Sequence, residues 1–406
     1  MGISHVATEK ATPLPFKVFL YSHSFAPNVG GVETYVMLLA CDVSTRVTRL
    51  VLATKTPAYA FEDNSLPFVV VRRPTLAQLW RRIREADLVQ LAGPCLWPML
   101  ISLIQKKPVI VEHHGYQACC ANGLLLRYPN LIDCTGEFLK TNYSECLRCE
   151  ASHHSPFHAL KQIFLTAIRH RLCKATGVTN IAVTSHVATR LNLPGSKIIH
   201  HGVDEVEHSH REAEINSYFT FAYVGRMVTE KGVHVLLLAA KTLRDQNYRF
   251  RLKLIGEGPE RTRLESYCHA AGLDGTVMFF DFKKGGGLKA TLADVDAVVI
   301  PSICQETAGL TAIEQMMSAR AVVAADIGGL SEIVNDAALR FIPGDALSLA
   351  DCMRQLIADP SLATQIGTRA RRQALARFRK ERMVTEHLAV YSKILSRPEP
   401  LYEIVG

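Results

Sequence analysis

Three short runs carry residues suited to chemistry on an anionic ligand. In Val224-Gly225-Arg226-Met227-Val228-Thr229-Glu230-Lys231-Gly232 a β-rich run ends in a glycine turn followed by two cations. Brought over one strand end, Arg226 and Lys231 make a clamp for a diphosphate; the plainer alternative is a solvated basic loop. In Glu306-Thr307-Ala308-Gly309-Leu310-Thr311-Ala312-Ile313-Glu314 the first glutamate sits in a loop after Pro301-Ser302. Gly309 there opens a helix whose first amides can hold a phosphate or a sugar hydroxyl. Glu314, among Ala312, Ile313, Met316 and Met317, needs a partner for its carboxylate: a pair of ribose hydroxyls, or a salt bridge between domains. The third run, Pro27-Asn28-Val29-Gly30-Gly31, lies between a strand and a helix, where paired glycines let backbone N–H groups approach an anion or simply make a tight turn.

These residues need elements to hold them, and 406 residues, at roughly 150 per domain, make two or three domains. Hydrophobic residues at 48% and charged residues at 21% exclude a disordered, collagenous or coiled-coil chain. The balance of 46 Lys+Arg against 38 Asp+Glu leaves +8, which suits a phosphorylated ligand or an anionic membrane surface and is too dilute for nucleic acid. From Phe16 onward short β-rich runs alternate with helical ones, the pattern of βα units around a parallel sheet. Strands are predicted at 17–21, 50–53, 68–71, 87–91, 109–112 and 181–184, with helices at 31–42, 76–86, 95–105 and 157–175. The alternation restarts at Tyr218, with strands at 220–224, 251–255, 276–280, 297–300, 321–324 and 338–341. The polar stretch 200–217 between the halves reads as a linker. The expected domains are therefore 16–205 and 206–380, with a C-terminal helix and tail, 381–406, packing back on the first. Residues 1–15 are polar and no apolar run reaches the roughly 20 residues of a membrane span, so a cytoplasmic location is expected.

One segment, 116–156, breaks the pattern: a long non-periodic insert holding Cys119, Cys120, Cys134, Cys146 and Cys149, five of the eleven cysteines. Cys146-Leu147-Arg148-Cys149 presents two thiolates to one tetrahedral ion, and two distant cysteines can close the shell, so four of the five are expected to hold a structural Zn²⁺. Unliganded thiols and a redox-sensitive disulfide are the alternatives. A second local feature, Arg72-Arg73-Pro74 followed by Leu76, Leu79, Trp80, Arg81, Arg82, Ile83 and Arg84, is a basic amphipathic helix that either lies on an anionic membrane or shows a solvated face to water.

Taken in order and spacing, several runs resemble the retaining glycosyltransferases of the GT-B fold, family 4. The runs are Gly225-Arg226 with Lys231-Gly232, Leu254-Ile255-Gly256-Glu257-Gly258-Pro259, Asp296 with Pro301-Ser302, Glu306-x7-Glu314, and Gly328-Gly329-Leu330-Ser331-Glu332. The resemblance runs from about Phe16 to Lys393. It implies two Rossmann-like doubly wound parallel-sheet domains facing a central cleft, the cysteine-rich insert belonging to the N-terminal one. It further implies that Arg226 and Lys231 hold a nucleotide diphosphate, Glu314 the ribose, and Glu306 the donor-sugar hydroxyls. Amides around Gly309 and Leu310 would complete the phosphate and sugar site. The base would lie between Gly256-Glu257-Gly258 and the backbone near Phe282 and Lys283. Gly30 and Gly31 match the family's diglycine loop, and His114, ahead of Gly115 at a strand end, matches its active-site histidine. His113 would point the other way along a strand. A subset of the family carries a similar four-cysteine insert. Departures are His201-Gly202-Val203-Asp204 where Asn leads in the family, Ser318-Ala319-Arg320-Ala321 before a strand, and Asp281 where glycine is frequent.

The expected activity is transfer of a sugar from a nucleotide-diphosphate donor to a saccharide or lipid-linked acceptor with retention, in cell-surface polysaccharide or glycoconjugate biosynthesis. The protein would stay in the cytoplasm or associate peripherally with the inner face of the membrane. A nucleotide-sugar epimerase of the same fold, or a non-catalytic nucleotide-sugar-binding protein, is the alternative. No catalytic cofactor is expected. Fixed cations can stabilise the departing diphosphate without Mg²⁺, and the one Asp-x-Asp, Asp294-Val295-Asp296, precedes its strand and so lies at the end away from the cleft.

Overall fold

The computed structural model describes residues 14–151, 155–206 and 218–396. The linker expected at 200–217 therefore falls outside the described residues from 207 onward, as do residues 1–13 and the tail from 397. In chain order the first half runs β1 (Leu14–Ser22), α1 (Gly31–Ser44), β2 (Val47–Thr54), β3 (Val69–Arg72), α2 (Leu76–Glu85), β4 (Leu88–Ala92), α3 (Leu96–Ile104) and β5 (Val109–His113). The insert follows, with β6 (Leu126–Arg127), β7 (Ile132–Asp133) and α4 (Tyr143–Ala151). Next come α5 (Pro156–Cys173), β8 (Val178–Ala182), α6 (Ser185–Leu191) and β9 (Lys197–Ile198). The second half opens with β10 (Phe219–Val224), α7 (Val233–Asp245), β11 (Phe250–Ile255), α8 (Arg261–Ala270), β12 (Val277–Phe280), α9 (Gly285–Thr291) and β13 (Ala297–Ile300). It closes with α10 (Leu310–Met317), β14 (Ala321–Ala325), α11 (Gly328–Val334), β15 (Leu339–Phe341), α12 (Ala346–Ala358), α13 (Pro360–Arg377) and α14 (Lys380–Leu395).

Two parallel sheets result, ordered β3-β2-β1-β4-β5-β8-β9 and β12-β11-β10-β13-β14-β15. Each reverses direction of growth beside its first strand, as doubly wound sheets do. Their central strands are apolar on both faces because helices cover both, which is why the sequence shows apolar runs there and not alternation. In β10, Phe221 faces one core with Leu252, Val299 and Val323, while Ala222 faces the other with Val298, Val322 and Ile313. The Asp-x-Asp has structural partners at the N-terminal ends of the strands. Asp294 pairs with Lys253 at 2.5 Å, and Asp296 accepts from the Thr220 N–H at 2.7 Å.

The described chain packs as two compact units, one of residues 14–112, 172–181 and 384–396, the other of 113–171 and 182–383. In the first unit the end of α14 brings His387 and Tyr391 into a fully buried polar cluster. Tyr35 donates to Glu112 and lies 3.1 Å from His387 Nε2; Gln90 Nε2 donates to the other Glu112 oxygen at 2.9 Å, and Tyr391 donates to Gln90. A carboxylate with no access to water persists because each of its oxygens has a donor. Also in this unit, Arg72 is withdrawn from the basic face: it forks onto Asp63 at 2.6 and 3.0 Å and lies over Phe25 and Phe61. Leu79 and Ile83 of α2 are buried, leaving Leu76, Trp80, Arg73 and Arg84 exposed.

Two expectations are corrected. The strand predicted at 181–184 ends at Ala182, and Thr184 instead caps α6, its hydroxyl accepting from the Val187 N–H at 3.3 Å. Hydrophobicity continues through Val183 into the helix, so an apolar run cannot mark this boundary. The stretch from His200 is also not loose where it is described. Val203 donates to Phe378 O at 2.9 Å and accepts from Lys380 N at 3.0 Å, and His201 is buried.

Candidate active site

Every contact described below is made within the second unit. The loops leaving β10, β11 and β13 are pressed together at the carboxyl ends of their strands, and two glycines make this approach possible. Gly232 has φ +67°, and a Cβ there would lie 1.9 Å from Pro301 O. Gly256 has φ +142°, and a Cβ there would lie 2.0 Å from Gly225 O. Both demand glycine on conformational and steric grounds. Backbone hydrogen bonds complete the seam: Met227 N to Glu257 O at 2.7 Å, Gly225 N to Ile255 O at 3.1 Å, and Ile303 N to Glu230 O at 3.0 Å.

This seam brings Lys231 Nζ to 2.5 Å from Glu306 Oε1, which also accepts from Ser302 Oγ at 2.5 Å. Burial alone would push the Glu306 carboxyl up, but Lys231, Ser302 and Arg226 outweigh it and hold it below the ordinary carboxylate range. Burial works against charge on Lys231 as well, yet Glu306 holds its pKa above the usual lysine value. The pair is therefore ionised at neutral pH. Arg226 is exposed, and its guanidinium has neither hydrogen bond nor ion pair among the described residues. The first amides of α10, Leu310 and Thr311, follow Gly309 at φ +60° with no side-chain cap, and such amides lack intrahelical acceptors. Glu314 lies apart on α10, half-buried, with its carboxyl raised to about 7 by burial alone. Phe282 is exposed and Lys283 half-buried beyond β12. Asp281, exposed, pairs with Arg261 at 2.7 Å. Gly30 and Gly31 belong to the first unit, at the N-terminus of α1.

His114 follows β5 half-buried, with Nδ1 3.1 Å from His201 Nε2, while His113 is fully buried. Thr307 ties His114 to the Glu306 loop by donating to its carbonyl at 3.1 Å, and Thr184 donates to Thr307 O at 2.8 Å. The histidine of the departing His201-Gly202 motif is thus the ring partner of His114. Other contributors carry no local sequence signal for the contacts they make, although Glu332 stands in the matched Gly328-Gly329-Leu330-Ser331-Glu332 run. Tyr116 is buried with its hydroxyl lacking a hydrogen bond among the described residues, and burial, Cys119, Cys304 and Glu306 raise its pKa. Cys304, buried beside Glu306, is pushed up to about 12 by burial and by that carboxylate. Gln305 Oε1 accepts from His186 Nε2 at 2.9 Å and Gln305 Nε2 donates to Asp133 of β7, anchoring the insert to this loop. Glu332 accepts from the N–H groups of Ser185 and His186, both at 3.1 Å, and from His200 at 2.9 Å, anchoring α6.

The insert gathers its thiols without converging them. Cys146 is pushed up to about 12 by burial and then by Cys120, Cys134 and Cys149, whereas Cys119 faces Cys120, Arg190 and Cys134. Four soft donors on one patch suit Zn²⁺ chemically. Asn122 meanwhile occupies two of them, accepting from Cys120 Sγ at 3.0 Å and donating to Cys149 Sγ at 3.3 Å. Among the described residues no three His, Cys, Asp or Glu side chains stand close enough to hold a metal ion.

The fold, two parallel-sheet Rossmann-like α/β domains, is that of GT-B glycosyltransferase structures. An Anabaena protein, HepE, solved in complex with UDP and glucose, superposes with a TM-score of 0.71 over 93% of this chain and 99% of its own at 18% identity. Residues 205–373 match the family model described as glycosyl transferases group 1, which takes in the Lys231–Glu306 pair. Curated relatives include the 2-deoxystreptamine glucosyltransferase of Streptomyces kanamyceticus, 30% identical over 141 residues, 34% of this chain and 36% of that protein. The glycogen synthase of Mycobacterium tuberculosis is 30% identical over 188 residues, 45% of each chain. The match thus spans less than half the length of these relatives.

The Glu332 anchor is testable through pH. Burial would raise its carboxyl, but His200 and Ser185 lower it from 4.5 to about 2. Its stabilisation is complete above the unfolded value and is lost as pH falls from 4.5 toward 2. Glu332→Gln should cost about 2 kcal/mol at pH 7. In denaturant titrations the gap to wild type should close on acidification through that window; a gap independent of pH contradicts the anchor.

Proposed function

We propose that the protein is a metal-independent glycosyltransferase that moves a sugar from a nucleoside-diphosphate donor to a hydroxyl acceptor with retention of configuration. The observation that carries the reading is the ionised Lys231–Glu306 pair beside the exposed Arg226, at the carboxyl ends of β10 and β13 in the segment that matches the group 1 family. Cleaving the bond from anomeric carbon to phosphate leaves the electron pair on the diphosphate. Arg226 and Lys231 are fixed cations for that charge, and the α10 amides add partial positive charge. Glu306, held ionised, accepts hydrogen bonds from donor-sugar hydroxyls. Its engagement by Lys231 and Ser302 makes it a positioning carboxylate, which supports a front-face route. On that route the acceptor oxygen bonds to the anomeric carbon and its proton passes to the departing phosphate oxygen. His114, tied to the same loop through Thr307, borders the donor sugar in this reading, and Glu314 takes the ribose.

UDP donors are the first to test because the HepE structure holds UDP. Wild-type protein incubated with UDP-sugars should release UDP faster when acceptor saccharides are added, and Arg226→Ala should lower kcat/KM about 10²-fold. Donor interconversion without release would instead support an epimerase, and an unaffected Arg226→Ala would remove the clamp.

We also propose that Cys120, Cys134, Cys146 and Cys149 hold a structural Zn²⁺, with Cys119 at the edge of the patch. Elemental analysis of protein purified under reducing conditions should find one zinc per chain, lost in Cys146→Ser; protein without zinc contradicts it.

A further inference from the structure

The basic run that starts at Arg72 leads into α2, and the fold gives that helix a neighbour. α2 buries Leu79 and Ile83 and turns Leu76, Trp80 and Arg84, spaced four residues apart, to the outside. α3 lies beside it, with Gln105 Nε2 at its C-terminus donating to Trp80 O at 3.0 Å. The outer face of α3 carries Trp97 and Ile104, seven residues apart and hence on one side, with half-buried Leu100 between them. Both helices belong to the first unit. The chain has two tryptophans and this face exposes both, Trp80 at 43% and Trp97 at 58%.

A surface helix ordinarily turns polar and charged side chains to water, whereas α3 buries Met99 and Ile101 and still turns Trp97 and Ile104 outward. Exposed apolar side chains gathered in this way mark a surface that meets something other than water. Charge identifies what. Residues 73–107 hold six basic and two acidic side chains, and Arg73, Arg81 and Arg84 are exposed at or beside α2. Both acids are engaged: Glu85 by Arg82 at 3.1 Å, and Asp87 by the Lys17 N–H at 2.8 Å. A second copy of this chain placed on the face by a twofold axis would set the guanidinium groups against one another. An anionic lipid surface meets both features at once. Indole rings and aliphatic side chains enter the boundary between headgroups and acyl chains, and arginines on long stems reach the headgroup phosphates.

We propose that α2 and α3 form a docking face for an anionic lipid surface, with Leu76, Trp80, Trp97 and Ile104 entering the headgroup boundary and the exposed arginines pairing with phosphates. No helix among the described residues is long and apolar enough to cross a membrane, and the contact proposed is with its surface. The proposal is independent of the transferase reading, since all of these residues lie in the first unit and none is assigned to transfer.

The test uses the full chain with vesicles of phosphatidylcholine alone or with about one-third phosphatidylglycerol, followed by flotation and by tryptophan emission. Because both tryptophans of the chain stand on this face, their emission reads it directly. Anionic vesicles should shift emission to the blue and bind the protein at least 10-fold more tightly than neutral ones. Arg81→Gln with Arg84→Gln should weaken flotation about 30-fold, about fivefold per charge. Trp97→Ser with Ile104→Ser should weaken it at least 10-fold. The two double variants change different side chains, all exposed, so the result does not hang on one of them folding. Emission unmoved by anionic vesicles, equal binding to both kinds of vesicle, or binding kept by both variants overturns the proposal. Self-association that shields the tryptophans without lipid would give the face to a second copy and overturn it as well.

Discussion

An ammonium and a carboxylate held together with little access to water set the terms for the second half of this molecule. Lys231 keeps 27% of its side chain exposed and Glu306 12%, so each depends on the other for its charge. Their contact requires loops from two different strands to lie closer than side chains would permit, and Gly232 against Pro301 O provides that approach. From this pair the consequences spread outward. Ser302 and Arg226 reinforce the ionised carboxylate, and the backbone at 305–307 then serves as a rail to which other elements are fixed. Thr307 holds His114, Gln305 holds β7, and Gly329 N donates to Glu306 O at 2.6 Å.

The cysteine insert is part of this arrangement. Arg190 of α6 donates to the carbonyls of Cys134 and Thr135, and Gln305 grips Asp133, so the insert is clamped between α6 and the Glu306 loop. Its own elements are two-residue strands and one short helix, too little regular structure to hold a shape without these ties. A metal bound by its thiols would act on a segment already anchored.

How much of this could be read in the sequence depends on the range of the interaction. The βα alternation fixed nearly every strand of both sheets, because a buried parallel strand is a contiguous apolar run between turn residues. The cations, the glycines of the loop seam and the Glu306 loop also stood out, since each lies in a short run whose neighbours explain it. What escaped notice acts across distance. Tyr116 reaches the surroundings of Cys304 and Glu306, and Glu332 caps a helix that begins at Ser185. In the sequence His201 is only a departure from a motif, and the fold alone sets its ring beside His114. The insert's elements were missed because strands of two residues leave no periodicity.

The dependence of the site on its ion pair is tested most directly by a double-mutant cycle on stability, using Lys231→Met, Glu306→Gln and the double variant in urea unfolding at pH 7. Lys231→Met alone should cost about 2 kcal/mol, because it leaves the Glu306 carboxylate buried and unmatched. The double variant should be more stable than that single one. Costs that simply add, with no coupling between the two positions, would contradict the account.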